Sequence, residues 1–356
     1  MASTLVAPPA TDDRVSRRSL GARLLSRPEI GSLVGAAVIL VFFLVVAPPF
    51  REITTTGTIL YQAALIGMMA VPVALLMVGG EFDLSAGVAV TTAGLTGGLF
   101  AYQFSVNVWV GVLVALVVAI GVGAFNGWLL MRTGLPSFLV TLGTFFILQG
   151  LNLGVTRILS GTVSSNSIRD MDGFSSAQAV FASEFVVKFR ILGIGFGPLT
   201  IKILVIWWIL FVVLASWVLL RTKIGNWIFA VGGDAAAARA VGVPVKKVKI
   251  GLFMTVGFFA WFSGMHLLFS QSSVQSGEGV GKEFIYIIAA VVGGCLLTGG
   301  YGSIAGSAVG ALIFGMTQLG VVYAGWNADW FRAFLGLMLL LATIVNLVVK
   351  NRADLR

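Results

Sequence analysis

Two carboxylates stand beside an apolar run in Gly79-Gly80-Glu81-Phe82-Asp83-Leu84-Ser85. Ionisable groups next to hydrocarbon are costly and persist where they face protein, water or a helix end. Asp83 is placed to accept from the free N–H groups of the helix that follows, so capping is its expected role ahead of solute contact. Glu81 is left open between a structural and a pathway role, and so is its counterpart Glu283 in Gly281-Lys282-Glu283-Phe284. A second polar group runs through residues 136–152, where aromatics are mixed with hydroxyls and amides. Spacings of four and three place Ser137, Thr141 and Thr144 on one helical stripe, with Gln149 and Asn152 toward its edge. Such a stripe can line a path for a polar solute or bond one helix to another, and the residues alone fit both.

Little else in the chain could do chemistry. Ser276-Gly277-Glu278-Gly279-Val280-Gly281-Lys282-Glu283 has the look of a phosphate-binding loop, but Ser276 stands where its first glycine belongs and Glu283 where its Ser or Thr belongs. His266, the only histidine, lies in an apolar segment and is expected to be a hydrogen-bonded packing residue. Cys295 has no partner, which excludes a disulfide framework and a cysteine-ligated zinc site. No catalytic residue, metal set or cofactor is therefore expected in this chain.

These residues have to be positioned by membrane helices. Of 356 residues, 58% are hydrophobic and 10% charged, against roughly 25% charged in a soluble domain. Forty-five glycines and nine tryptophans suit close helix packing and interfacial anchoring. The net charge of +9 is not a nucleic-acid signal, because the bases cluster in short segments between apolar runs. Residues 1–29 form a basic tail with Arg14, Arg17, Arg18, Arg23 and Arg27, and the apolar run from 30 to 49 is too long for a signal peptide. Further runs cover about 56–78, 84–104, 107–131, 136–154, 200–220, 250–271, 284–298, 303–322 and 328–349, the eighth of the ten being short for a span. The predicted fold is an all-α membrane protein of about ten transmembrane helices.

Numbering odd spans as outward-going leaves 15 of the 23 Lys and Arg in inside segments, as the positive-inside rule requires. Both termini, including 350–356, are then cytoplasmic, a 155–199 loop is external and a 221–249 loop is cytoplasmic. The stretch 177–189 reads as a surface helix, since Glu184 and Lys188 make it a poor span. Residues 79–98 align without gaps to 281–300 with eight of twenty positions identical, and the two copies open spans of opposite direction. An inverted internal repeat of this kind is a common transporter architecture.

The 221–249 loop carries the most pointed signal. Asp234 followed by four alanines, Arg239, Gly242 and Pro244 reads as a short helix with an Asp N-cap, a glycine after its end and a proline stop. Held out from a membrane, such a narrow helix can dock in a groove on a partner, or it can be a tidy solvated loop.

The motifs at 79–87, 134–144, 234–244 and 297–303 together resemble the permease subunits of ribose- and fructose-type ABC sugar importers, from about residue 30 to the C-terminus. The long outer loop, with residues 161–164 and 170–174, resembles the fructose-type branch. The resemblance implies a permease in the bacterial inner membrane that pairs with a second copy, with the pathway between them. It implies partner ABC ATPase subunits that hold ATP and magnesium, and a periplasmic binding protein that delivers a monosaccharide. Asp234, Ala237, Ala238, Arg239 and Gly242 then fall on the coupling helix that meets the ATPase. Thr141, Thr144, Gln149, Asn152, Glu81 and Asp83 are the pathway candidates. The alternatives are a permease of the same superfamily for branched-chain amino acids or nucleosides, and an ion-coupled secondary transporter. The first needs charged groups in the pathway and the second needs buried acid or histidine relays, and few of either are seen.

Overall fold

The apolar runs fold as helices because a chain in hydrocarbon must satisfy its own backbone. The computed structural model describes residues 28–191 and 194–354, with side chains over 29–187 and 198–344. The basic tail before Pro28 lies outside the described residues. Helix α1 (Pro28–Val46) and a short 3-10 turn lead to α2 (Ile53–Val78), α3 (Ala86–Gln103), α4 (Val108–Thr133) and α5 (Ser137–Ser160). After α6 (Phe174–Phe181) comes an antiparallel hairpin, β1 (Glu184–Ile191) and β2 (Ile194–Lys202). Then follow α7 (Ile203–Arg221), α8 (Lys223–Gly233), α9 (Ala235–Ala240), α10 (Val245–Gln271), α11 (Lys282–Val292), α12 (Ile304–Tyr323) and α13 (Trp330–Asp354).

Seven of these, α1, α2, α4, α5, α7, α10 and α12, are long and apolar enough to cross a membrane. The protein is thus a multi-pass α-helical membrane protein. Helices α2, α10 and α12 form its centre, being buried over 78%, 67% and 67% of their apolar windows, against 17–33% for the other four. Glycine lets the central backbones meet. A Cβ at Gly123 of α4 would overlap the Phe253 carbonyl, and one at Gly257 of α10 would overlap the Ala119 carbonyl, so the two helices interlock reciprocally.

The eighth predicted span is a half-helix. At 1.5 Å per residue the eleven residues of α11 rise about 16 Å, roughly half of a 30 Å hydrocarbon core. It stops at Val292 in a turn that repeats the end of α2. Gly79, Gly80 and Glu81 donate to the carbonyls of Leu75, Met77 and Leu76, while Gly293, Gly294 and Cys295 donate to those of Ala289, Val291 and Ala290. Gly80 and Gly294 sit at φ +81° and +94°, where a side chain would be strained. The same closing pattern ends α3 at 104–106 and α12 at 324–326. The gapless alignment of the two copies sets Gly97 and Gly98, inside α3, against Gly299 and Gly300 in a turn.

The segment between α5 and α7 also departs from expectation. Helix α5 runs on to Ser160, and of the predicted 177–189 surface helix only 177–181 is helical, as the end of α6. From Glu184 the chain is extended, pairing Glu184 with Lys202 and Phe185 with Ile201, and Glu184 and Lys202 also form an ion pair. The β-branched and aromatic residues here favour a pleated ribbon over a helix. An added Cβ at Gly57 would overlap the Thr200 carbonyl, so the ribbon lies directly on α2.

Candidate functional site

Two hydroxyls on the polar stripe of α5 hold the backbone of the 79–85 turn. The Ser137 hydroxyl accepts from the Phe82 amide at 3.1 Å, and the Thr141 hydroxyl accepts from the Leu84 amide at 3.1 Å while donating to the Ser137 carbonyl. Asp83, 2% exposed, accepts from the Ser85 amide at 2.8 Å and the Ser85 hydroxyl at 2.6 Å. Ser85 is itself the residue before α3, so Asp83 fixes that residue and does not reach the first-turn amides as expected of a cap. Burial in the turn pushes the Asp83 carboxyl up, against the opposing pull of hydrogen bonds from Ser85 and Asn126.

Asn126 of α4 completes the cluster. Its amide donates to the Ser85 hydroxyl at 3.0 Å, and its oxygen accepts from the Thr144 hydroxyl at 2.6 Å. Asn152 donates to the Val88 carbonyl at 3.3 Å, and Gln149 is half-buried without a hydrogen bond among the described residues. Ser137, Thr141 and Thr144 thus join helices, and the stripe's outer end turns to another use. Asn152 and Thr156 of α5, with Thr92, Thr96 and Gln103 of α3, are the polar members of a mostly Leu-, Val- and Phe-lined groove of about 540 Å³ between α3, α4 and α5. Asn126 was legible only as a lone amide in an otherwise apolar helix.

Glu81 leaves this cluster and pairs with Lys249 in the first turns of α10. The neighbouring glycines bring three distant turns together. A Cβ at Gly232 would overlap the Val78 carbonyl, one at Gly299 would sit 2.7 Å from the Gly80 Cα, and the Gly300 amide donates to Val78 at 2.9 Å. The base of the 221–249 loop is thereby seated on the turns that end α2 and precede α12. From that base α9 stands out. The Asp234 carboxylate accepts from the amides of Ala236 at 2.8 Å and Ala237 at 3.0 Å, as an N-cap does. Gly242, at φ +88°, closes the other end, its amide donating to Arg239. Ala236, Ala237, Arg239 and Ala240 are exposed, and so is Val241, at 80%. Ala238 is buried and belongs to the seat of the helix.

A third polar locus lies where α3 crosses the start of α11. Glu283 accepts from the Gly281 amide through Oε1 at 3.1 Å, while Oε2 and the Thr91 hydroxyl are buried without partners. Gly87 and Gly279 meet there with no room for a Cβ on either. His266 is a packing residue, as the sequence implies. Its Nδ1 lies 2.7 Å from the Phe181 carbonyl, which can only accept, so Nε2 accepts from the Tyr61 hydroxyl at 3.0 Å. His266→Ala, which strands both partners, is expected to lower stability by about 2 kcal/mol in a thermal melt. The same variant should leave solute uptake equal at pH 6 and pH 8. No group of three metal-ligating residues occurs among the described residues.

A family model described as the permease component of branched-chain amino acid transport systems matches residues 55–343. The chain belongs to that permease family. The permease is 31% identical to the probable ABC transporter permease protein YphD of Escherichia coli K12, over 92% of this chain and 91% of that one. It is 30% identical to the fructose import permease protein FrcC of Rhizobium meliloti, over 99% and 94%. To the ribose import permease protein RbsC of Escherichia coli K12 it is 31% identical, over 89% and 93%. No solved structure matches it. It is accordingly an ABC transporter permease, and FrcC and RbsC among its relatives are sugar import permeases.

Proposed function

We propose that this permease is the membrane subunit of an ATP-driven importer that moves a monosaccharide of the ribose, fructose or xylose class. A periplasmic binding protein delivers the sugar, a second copy of the chain closes the pathway, and a partner ATPase binds ATP and magnesium. Both termini and the 221–249 loop face the cytoplasm of a bacterial cell, with the hairpin and residues 161–183 outside. The observation that carries this reading is α9. It is a capped helix with small, exposed side chains on a base clamped between two glycine turns, so a push on it is passed to the 79–85 turn through Lys249 and Glu81. A six-residue helix with such firm ends can act as a lever only if a partner grips it.

The relatives carry the sugar assignment, since FrcC is a fructose import permease and RbsC a ribose import permease. The α3–α5 groove, lined mostly by Leu, Val and Phe, holds no charged group that would meet the ends of a zwitterionic amino acid. The exposed apolar face of α5, with Phe146, Ile147 and Leu151, is the surface offered to the second copy.

The test is co-purification of the tagged permease in mild detergent, with mass spectrometry of what stays bound. Ala237→Glu with Val241→Glu places two charges on the exposed face and spares the buried Ala238 and the strained Gly242. An ATPase subunit is expected with the wild type and not with the variant, whose thermal midpoint should be unchanged. Equal ATPase recovery from both would remove α9 from the interface.

A further inference from the structure

A groove of about 650 Å³ opens between α7, α8 and α10, away from the α3–α5 groove. Its walls are Leu75, Phe211, Leu214, Ala215, Val218, Val248, Leu252 and Phe259, with Ile224 and Trp227 of α8 across one end. The size is that of sites holding small organic ligands. The lining is almost wholly apolar, and one charged side chain, Lys247, stands at its rim. Lys247 is exposed and forms no ion pair among the described residues, unlike Lys249, which is taken by Glu81.

The charge around that rim is one-sided. Arg221, Lys223 and Lys246 are exposed nearby in sequence, and the only acid between 221 and 249 is Asp234, whose carboxylate is committed to capping α9. Leu214 of the lining belongs to an exposed apolar face of α7 with Leu210 and Trp217. An apolar groove that continues onto an exposed apolar helix face and carries one lysine without an ion pair among the described residues suits the two parts of an anionic phospholipid. Its lining includes Trp227, and tryptophan is enriched where headgroups meet hydrocarbon.

We propose that this groove binds an anionic phospholipid, its acyl chain between α7 and α10 and its phosphate against Lys247. The inference needs only that α7 and α10 cross a bilayer, so it stands or falls apart from the choice of solute.

Trp227 supplies the probe. The permease is reconstituted in vesicles containing a fixed fraction of brominated phosphatidylglycerol or brominated phosphatidylcholine, and the quenching of Trp227 is obtained as the difference between wild type and Trp227→Phe. One lysine at a membrane surface favours an anionic headgroup by about fivefold, and that preference for phosphatidylglycerol is the expected result. Lys247→Gln should reduce it severalfold, whereas Lys246→Gln, outside the lining, should reduce it less. Salt provides a second measurement on the unaltered protein, since raising ionic strength should shrink the preference through screening. Equal quenching by the two lipids at every salt concentration would reduce the groove to ordinary annular lipid and overturn the proposal. Absence of any Trp227 quenching would also overturn it, because protein, such as a second copy, would then fill the groove.

Discussion

Gly232→Ala is expected to give a permease that purifies poorly and melts earlier, while Gly233→Ala, one residue on, behaves as wild type or better. The contrast comes from what a methyl group would meet. At Gly232 it would overlap the backbone carbonyl of Val78 and crowd the Gly300 amide, two groups already hydrogen-bonded to each other. Overpacking commonly costs about 1–3 kcal/mol, and backbone that cannot rotate away puts this site at or above the upper end. At Gly233 the methyl would meet nothing within 4 Å. Replacing glycine by alanine in a helix then gains up to about 1 kcal/mol from the lower entropy of the unfolded chain. Thermal midpoints and size-exclusion profiles in detergent check this. Indistinguishable profiles for the two variants would mean that the turns are not packed as described. If α9 docks on a partner ATPase as proposed, Gly232→Ala should also weaken that coupling, since α8 is the base from which α9 projects.

The meeting of these turns marks the limit of what could be read from the chain. The spanning helices were legible because each is a run of apolar residues of the right length, and the shortness of α11 showed as a run, 284–298, too short for a span. The capped helix at Asp234 was legible because its signals are local, an Asp ahead of alanines and a glycine after them. By contrast, Gly80, Gly232 and Gly299 lie far apart in sequence, and nothing beside any of them says that they touch. Glu81 could be marked as costly in place, but its partner Lys249 was one of six bases in a loop and looked like part of a solvated surface. Identity of residue type does not carry identity of surroundings: eight matches in twenty set Glu81 against Glu283, and Glu81 is paired with a lysine while Glu283 keeps one oxygen unpaired. The hairpin escaped notice because Glu184 and Lys188 were weighed only against a membrane span, where a pleated ribbon tolerates both.

Lys249→Met carries the second large effect, on stability and on coupling together. Removing the lysine leaves the Glu81 carboxylate without its counter-charge in a site where only 9% of the side chain is exposed. Breaking a buried pair from one side costs about 3–5 kcal/mol, whereas replacing both members by apolar groups of similar size is often neutral. Lys249→Met should therefore be severe, and Lys249→Met with Glu81→Leu should recover most of the lost thermal stability. That recovery separates the two jobs of the pair, because the double variant folds without any tie between the 79–85 turn and α10. If, as proposed, α9 links a partner ATPase to sugar movement and does so through this tie, the double variant should support ATP hydrolysis while delivering less sugar per ATP in proteoliposomes. A double variant that is both stable and fully coupled would leave Lys249 and Glu81 as a packing feature, and the route from α9 inward would have to run through the glycine contacts alone.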